Sequence, residues 1–204
     1  MSDLLADRGI ERSLVRDRAI RAMLPIAATE GWNGATLRAG LAACGEDPVL
    51  AASHFPGGAL GAIAAWCDLA DRDMTAAALA EDIASRRVPA RIRRLVELRL
   101  AAAASYKPAL RRAFGLLALP WNAGLALRLT ARTADAMWYA AGDASADFSW
   151  YTRRASLGAI YAATVTYWLR DDDPDTADAL AFLDRRLADL NRLSRRKRPS
   201  QAPV

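Results

Sequence analysis

The stretch Gly31-Trp32-Asn33-Gly34-Ala35-Thr36-Leu37-Arg38-Ala39-Gly40-Leu41-Ala42-Ala43-Cys44-Gly45, continued by Glu46-Asp47-Pro48-Val49-Leu50-Ala51-Ala52-Ser53-His54-Phe55-Pro56-Gly57-Gly58, decides the fold. Its first half predicts a short helix over 34–43, ended by Cys44-Gly45. Asp47 then suits an N-cap and Pro48 the first position of another helix, because proline lacks the N–H that a helix start leaves unpaired. That helix stops at Phe55-Pro56-Gly57-Gly58. Upstream, Leu14, Val15, Ala19, Ala22, Met23, Ile26 and Ala27 recur at helical spacing and predict a helix over about 11–30, ended by Gly31. Three helices with a tight glycine turn between the second and third outline a helix-turn-helix.

Downstream, a fourth helix is predicted over 59–85, followed by helices over about 89–105, 107–119, 121–142, 147–170 and 174–195. Pro89, Pro108, Pro120 and Pro174 each stand where one begins. Forty-seven alanines and the near absence of β-branched runs favour helix throughout. The expected fold is all-α. A helix-turn-helix-like three-helix unit spans 1–58, a larger bundle 59–173, and a C-terminal helix with a basic tail 174–204.

The segment from Ala35 to Pro56 resembles the DNA-binding half of TetR-type regulators, a likeness that covers roughly residues 11–60 and implies a separate all-helical domain after it. Its chemistry departs from that family. A recognition helix needs side chains that reach base edges and neighbours that neutralise phosphates. Pro48 to His54 offers one serine and one histidine, with Glu46 and Asp47 at the end that phosphates approach. Gly57-Gly58 stands where the family has a lysine. Residues 1–70 carry six arginines against eight acidic residues, which opposes the phosphate contacts that dominate affinity. No nucleic-acid partner is expected, and His54 reads as a half-buried packing residue.

The whole chain of 204 residues nevertheless has a net charge of +5 and a pI near 9.7. Residues 86–112 hold nine basic residues against one glutamate, and 135–189 hold ten aspartates against five arginines. Arg192 to Arg198 contribute five positive charges, and the remainder of the chain is neutral. Cys44 and Cys67 form no C-x-x-C pair and read as small residues in a reducing compartment. The uncharged run from Pro48 to Cys67 is broken by Phe55-Pro56-Gly57-Gly58 and is not read as a membrane span.

Catalytic groups are sparse. A single histidine excludes histidine metal clusters and most acid–base dyads. No P-loop, G-x-G-x-x-G or G-x-S-x-G is present. Asp171-Asp172-Asp173-Pro174-Asp175 fits the D-D-x-x-D pattern that holds Mg²⁺ in prenyl-diphosphate enzymes, but Pro174 interrupts it and no second motif faces it. Asp173-Pro174 reads instead as a helix start. Neither catalysis, a metal nor a cofactor is expected.

The densest run of unusual side chains is Met137-Trp138-Tyr139-Ala140-Ala141-Gly142-Asp143-Ala144-Ser145-Ala146-Asp147-Phe148-Ser149-Trp150-Tyr151-Thr152-Arg153-Arg154, with Ala181-Phe182-Leu183-Asp184-Arg185-Arg186 later. With Gly31-Trp32-Asn33-Gly34 and His54-Phe55-Pro56-Gly57-Gly58, these strings resemble the accessory lipid-binding family of ubiquinone biosynthesis, the ninth protein of the coenzyme Q pathway. The resemblance covers about residues 15–190. It implies a TetR-like fold, a homodimer, and a bundle pocket for an isoprenoid quinone or a phospholipid. It further implies presentation of quinone intermediates to the demethoxyubiquinone hydroxylase at the membrane. On the family's pattern the hydroxylase contacts fall on Met137, Trp150, Tyr151 and Arg154. Eukaryotic members carry a mitochondrial presequence; acidic Asp3, Asp7 and Glu11 do not read as one, so a bacterial cytoplasmic location beside the inner membrane is expected.

The residues themselves add two readings. Four aromatics within fourteen residues exceed what one helix face buries, so some are expected at an interface, where aromatics beside arginine serve as anchors. Leu116, Leu119, Leu125 and Leu129, with Tyr161 and Trp168, are the expected lipid lining. In the last helix Leu180, Leu183, Leu187, Leu190 and Leu193 form one stripe, followed by Arg195-Arg196-Lys197-Arg198. An amphipathic helix beside a polybasic cluster suits a membrane surface, so Leu183, Leu187, Leu190 and the four basic residues are the expected membrane contacts. The alternative function is a TetR-type ligand-responsive transcriptional regulator.

Overall fold

A computed structural model describes residues 12–142, 149–170 and 175–196. For Ser149, Trp150, Tyr151, Arg153, Asn191 and residues 193–196 it describes the backbone alone. Among the described residues every regular element is helical: α1 (Leu14–Glu30), α2 (Gly34–Ala43), α3 (Ala51–His54), α4 (Gly58–Ala80), α5 (Val88–Ala103), α6 (Lys107–Leu117), α7 (Ala123–Ala140), α8 (Ser149–Trp168) and α9 (Ala177–Arg196). The all-α expectation holds.

Local chemistry accounts for most of the boundaries. The Ser13 side chain accepts from Arg16 N at 3.1 Å and starts α1, and Asn33 Oδ1 accepts from Ala35 N and Thr36 N at 2.8 and 3.0 Å to start α2. Gly45, at φ +83, makes the turn that follows. Asp47 Oδ1 accepts from Val49 N at 2.9 Å, as its N-cap reading requires. Three boundaries differ from expectation. Pro48–Leu50 is a 3₁₀ turn, leaving α3 one turn long. Helix α4 ends at Ala80 and not at 85, because Asp82 adopts the left-handed conformation (φ +47) before a 3₁₀ turn over Ile83–Ser85. Helix α9 begins at Ala177, where Asp175 Oδ1 accepts from Ala177 N at 3.0 Å; the expected start at Asp173-Pro174 lies outside the described residues.

The chain divides into two units, Met1–Ala70 with Pro108–Ala123, and Asp71–Lys107 with Gly124–Val204. In the first, Trp32 and Trp66 stack with ring centroids 5.4 Å apart, and Trp32 Nε1 donates to Ala109 O at 2.9 Å. Met23, Leu41, Phe55 and Ile63 of the same unit are fully buried. Gly61 lies against the Pro56 carbonyl, where a Cβ atom has no room. In the second, the buried face of α5 is Ile92, Leu95, Val96, Arg99 and Leu100, the i, i+3, i+4, i+7, i+8 pattern of a core helix. Tyr167 and Phe182 stack 4.9 Å apart between α8 and α9.

Candidate functional site

The helix-turn-helix presents little for a phosphate backbone. Glu46 pairs with Arg18 at 3.2 Å. The 3₁₀ turn exposes Val49 by 83% and Leu50 by 44%, so apolar side chains stand where a recognition helix carries polar readers. His54 is half-buried. No single helix among the described residues is long and apolar enough to cross a membrane. Helix α4 with the Pro48–His54 segment passes that test only as a pair bent by 70°.

In the second unit the most elaborate chemistry is a buried polar network that the sequence reading missed. Arg99 Nη1 meets Asp71 Oδ1 at 2.6 Å, and Arg99 Nε donates to the Tyr161 hydroxyl at 2.6 Å. The Thr133 hydroxyl donates to the other Asp71 oxygen at 3.1 Å. Both charged partners are buried, Arg99 to 9% exposure and Asp71 to 12%. A signal was present: Arg99 stands on the apolar stripe of α5. A second buried cation, Lys107, places its Nζ 4.6 Å from the Trp168 ring centroid, a cation–π contact. Trp168 Nε1 donates to Asp175 O at 3.1 Å.

These contacts change the reading of the expected lipid lining. Tyr161 and Trp168 are bound into core polar contacts. Leu129 is buried, Leu125 is half-buried, and Leu116 and Leu119 are half-buried in the other unit. Trp138 is half-buried, and its indole N–H is a buried donor without a hydrogen-bond partner among the described residues.

Of the expected partner contacts, Met137 is fully buried. This corrects its placement at a surface. The buried face of α7 is Leu129, Thr133, Ala134 and Met137, and a helix turns about 200° between Met137 and Tyr139, so Tyr139 is the residue turned outward, at 78% exposure. Arg154, 12% exposed, donates from Nε to Asp135 Oδ1 at 2.6 Å and ties α8 to α7. The side chains of Trp150 and Tyr151 lie outside those described.

The membrane stripe is corrected in part. Leu183 is fully buried and Leu180 nearly so, while Leu187 and Leu190 are half-buried. The inner part of the stripe is occupied by packing within the unit, and Arg93 Nε fixes the helix through Asp184 at 3.1 Å. The side chains of Arg195 and Arg196, and all of Lys197 and Arg198, lie outside those described. Asp171 to Pro174 do as well, and the described residues contain no cluster of metal-ligating side chains.

One open cleft, of about 290 Å³, lies in the second unit between the ends of α4 and α7. Ala78, Ile83, Ala84 and Ala140 line it together with the polar Thr75 and Asp82, and Leu79 and Tyr139 stand on its walls.

A helix-turn-helix unit followed by a helical bundle defines the TetR-like class, and a solved structure agrees. The TetR transcriptional regulator from Nitrosomonas europaea ATCC 19718 superposes with a TM-score of 0.69 at 22% identity, over 86% of this chain and 97% of that one. At that identity the likeness concerns the fold. Within this class, residues 123–194 match the model of the COQ9 family, the likeness that the aromatic strings indicated. The chain is 43% identical over 98 residues to the ubiquinone biosynthesis protein COQ9, mitochondrial, of Bos taurus and of Homo sapiens, and 39% identical over 92 residues to that of Drosophila melanogaster. These matches cover 48%, 48% and 45% of this chain, and 31%, 31% and 28% of those relatives. The chain thus spans about a third of the length of the curated relatives it matches. All three are named as mitochondrial proteins, which overturns the expected bacterial cytoplasmic location.

Proposed function

We propose that this chain acts in ubiquinone biosynthesis as a non-enzymatic, homodimeric lipid-binding accessory protein. It binds isoprenoid quinone intermediates and presents them to the demethoxyubiquinone hydroxylase at a membrane surface. The observation that carries this reading is the COQ9-family match over residues 123–194. Two features support it. The 3₁₀ turn that leads into the short third helix exposes apolar Val49 and Leu50, which favours a TetR-like fold without DNA over a regulator. The Trp138 indole N–H, buried without an acceptor, suits a ligand carbonyl such as a quinone presents, because a buried donor left unpaired costs about 1–3 kcal/mol.

Organic extraction of the purified full chain, followed by mass spectrometry, tests the reading. Co-purified isoprenoid quinone or phospholipid is the expected result, with less of it in Trp138→Phe. Protein free of any lipid counts against it. A salt-dependent shift of duplex DNA at low ionic strength would favour the regulator reading.

A further inference from the structure

Four segments of the second unit reach one end of it. Arg91, in the first turn of α5, donates from Nη1 to Ala141 O at the end of α7 at 2.8 Å and from Nε to Arg86 O at 2.7 Å. Its Nη2 donates to Ala84 O, in the turn after α4. One guanidinium therefore gathers the end of α7, the turn after α4 and the start of α5. The direction of α9 supplies the fourth segment. Asp175, just before α9, lies by Trp168 and hence by Lys107, beyond the C-terminal end of α5. Asp184, further along α9, pairs with Arg93 near the N-terminal end of α5. The two helices are thus antiparallel. At about 1.5 Å per residue, the level of Val88 falls near Asp189, and Arg192 continues past it.

This end collects the unit's outlying side chains. Among the described residues, the exposed large apolar side chains of this unit are Leu79, Val88, Leu127 and Tyr139. Three of the four are here, and Leu79 and Tyr139 share the walls of one cleft. Around them Arg86, Arg87 and Arg192 are exposed, and Arg195 to Arg198 follow in sequence. Of the acidic groups here, Glu81 is held by Arg94 at 2.6 Å, Asp189 faces Arg186 and Arg192, and Asp82 is exposed. Exposed apolar side chains on a soluble surface are ordinarily scattered singly. Apolar and tyrosine side chains ringed by arginine are the composition of a membrane interface.

We propose that this end of the unit, with Leu79, Val88 and Tyr139 entering the interfacial region and Arg86, Arg87 and Arg192 against the headgroups, docks end-on to an anionic phospholipid surface. The proposal rests on the membrane reading above and relocates the contact from the buried Leu183 to side chains already in solvent. It requires no unpacking of α9. Charge complementarity selects the occupant: the excess of arginine fits phosphatidylserine-type headgroups.

The test is co-sedimentation of the full chain with vesicles of about one part phosphatidylserine to three parts phosphatidylcholine, against phosphatidylcholine alone. Binding is expected to the anionic vesicles and to weaken with salt. Arg86→Ser with Arg87→Ser should lower affinity by about fivefold per arginine. Leu79→Ser with Tyr139→Ser should lower it without moving the thermal midpoint, since both side chains are exposed. Tryptophan placed at Leu79 should blue-shift on binding. If both double variants bind as wild type while truncation after Asn191 abolishes binding, the tail alone makes the contact and the end-on proposal fails. An unshifted tryptophan at position 79 on bound vesicles assigns the cleft to a protein partner and likewise overturns it. A wild-type chain that ignores anionic vesicles removes the membrane reading as well.

Discussion

Both units bury an aspartate against an arginine, but they do so differently. In the first, Asp68 is 7% exposed while its partner Arg12, bidentate at 2.8 and 3.1 Å, is 61% exposed. The cation keeps much of its hydration. In the second, Arg99 and Asp71 are only 9% and 12% exposed, with Thr133 on the second Asp71 oxygen and Tyr161 on Arg99 Nε. Taking two ions from water costs several kcal/mol each, so a fully buried pair adds little net stability, yet removing one partner is severe. The first arrangement tolerates change at its cation; the second does not.

That contrast is open to attack, beginning with the largest effect. Arg99→Met strands Asp71 and should lose about 3–5 kcal/mol in urea unfolding, whereas Arg12→Met should lose about 1 kcal/mol or less. Asp71→Leu combined with Arg99→Met should recover most of the loss; additive losses would show that the pair does not act as a unit. Gly61→Ala comes next, in the close-packed first unit. Its new Cβ meets the Pro56 carbonyl oxygen, which is backbone and cannot swing aside, so about 1–3 kcal/mol should be lost. Trp32→Phe keeps most of the ring stack but removes the indole hydrogen bond to Ala109 O, for about 1 kcal/mol.

The smallest effect concerns pH. The hydrogen bond from Arg94 holds the Glu81 carboxyl below its ordinary value of 4.5. A carboxylate lowered on folding stabilises the fold above its unfolded pKa, and the contribution disappears as pH falls through the lowered folded value. Thermal midpoints of wild type and Glu81→Gln should therefore differ slightly near neutrality and converge in acid below about pH 4. The group is solvent-exposed, so the gap should shrink with salt. A gap that persists in acid would remove the ion pair from the account.

Local signals carried much of the fold. Helix α2 falls at the expected positions because Asn33 and the Cys44-Gly45 turn punctuate it, and Asp47-Pro48 marks a start in any context. The end of α4 was illegible, since nothing in Ala80-Glu81-Asp82 announces a left-handed aspartate. The site was less legible than the fold. Helix phase decides whether Met137 or Tyr139 faces outward, and an aromatic run with residues on every face does not reveal that phase. A leucine stripe such as Leu180–Leu183–Leu187–Leu190 equally fits a membrane and a neighbouring helix, and the neighbour takes its inner half. Arg99 was legible as a charge on an apolar stripe, but not as the centre of a network whose members are 28 and 62 residues away.

The stacked indoles of the first unit have a spectroscopic consequence. Trp32 and Trp66 lie 5.4 Å apart with planes inclined by 27°, close enough for their transition dipoles to couple. Circular dichroism should then contain an exciton couplet belonging to this pair, while Trp121, 78% exposed, emits in a water-like environment. Loss of the couplet on heating or in urea reports the opening of the first unit alone. The order in which the two units melt is thereby open to direct reading without any label.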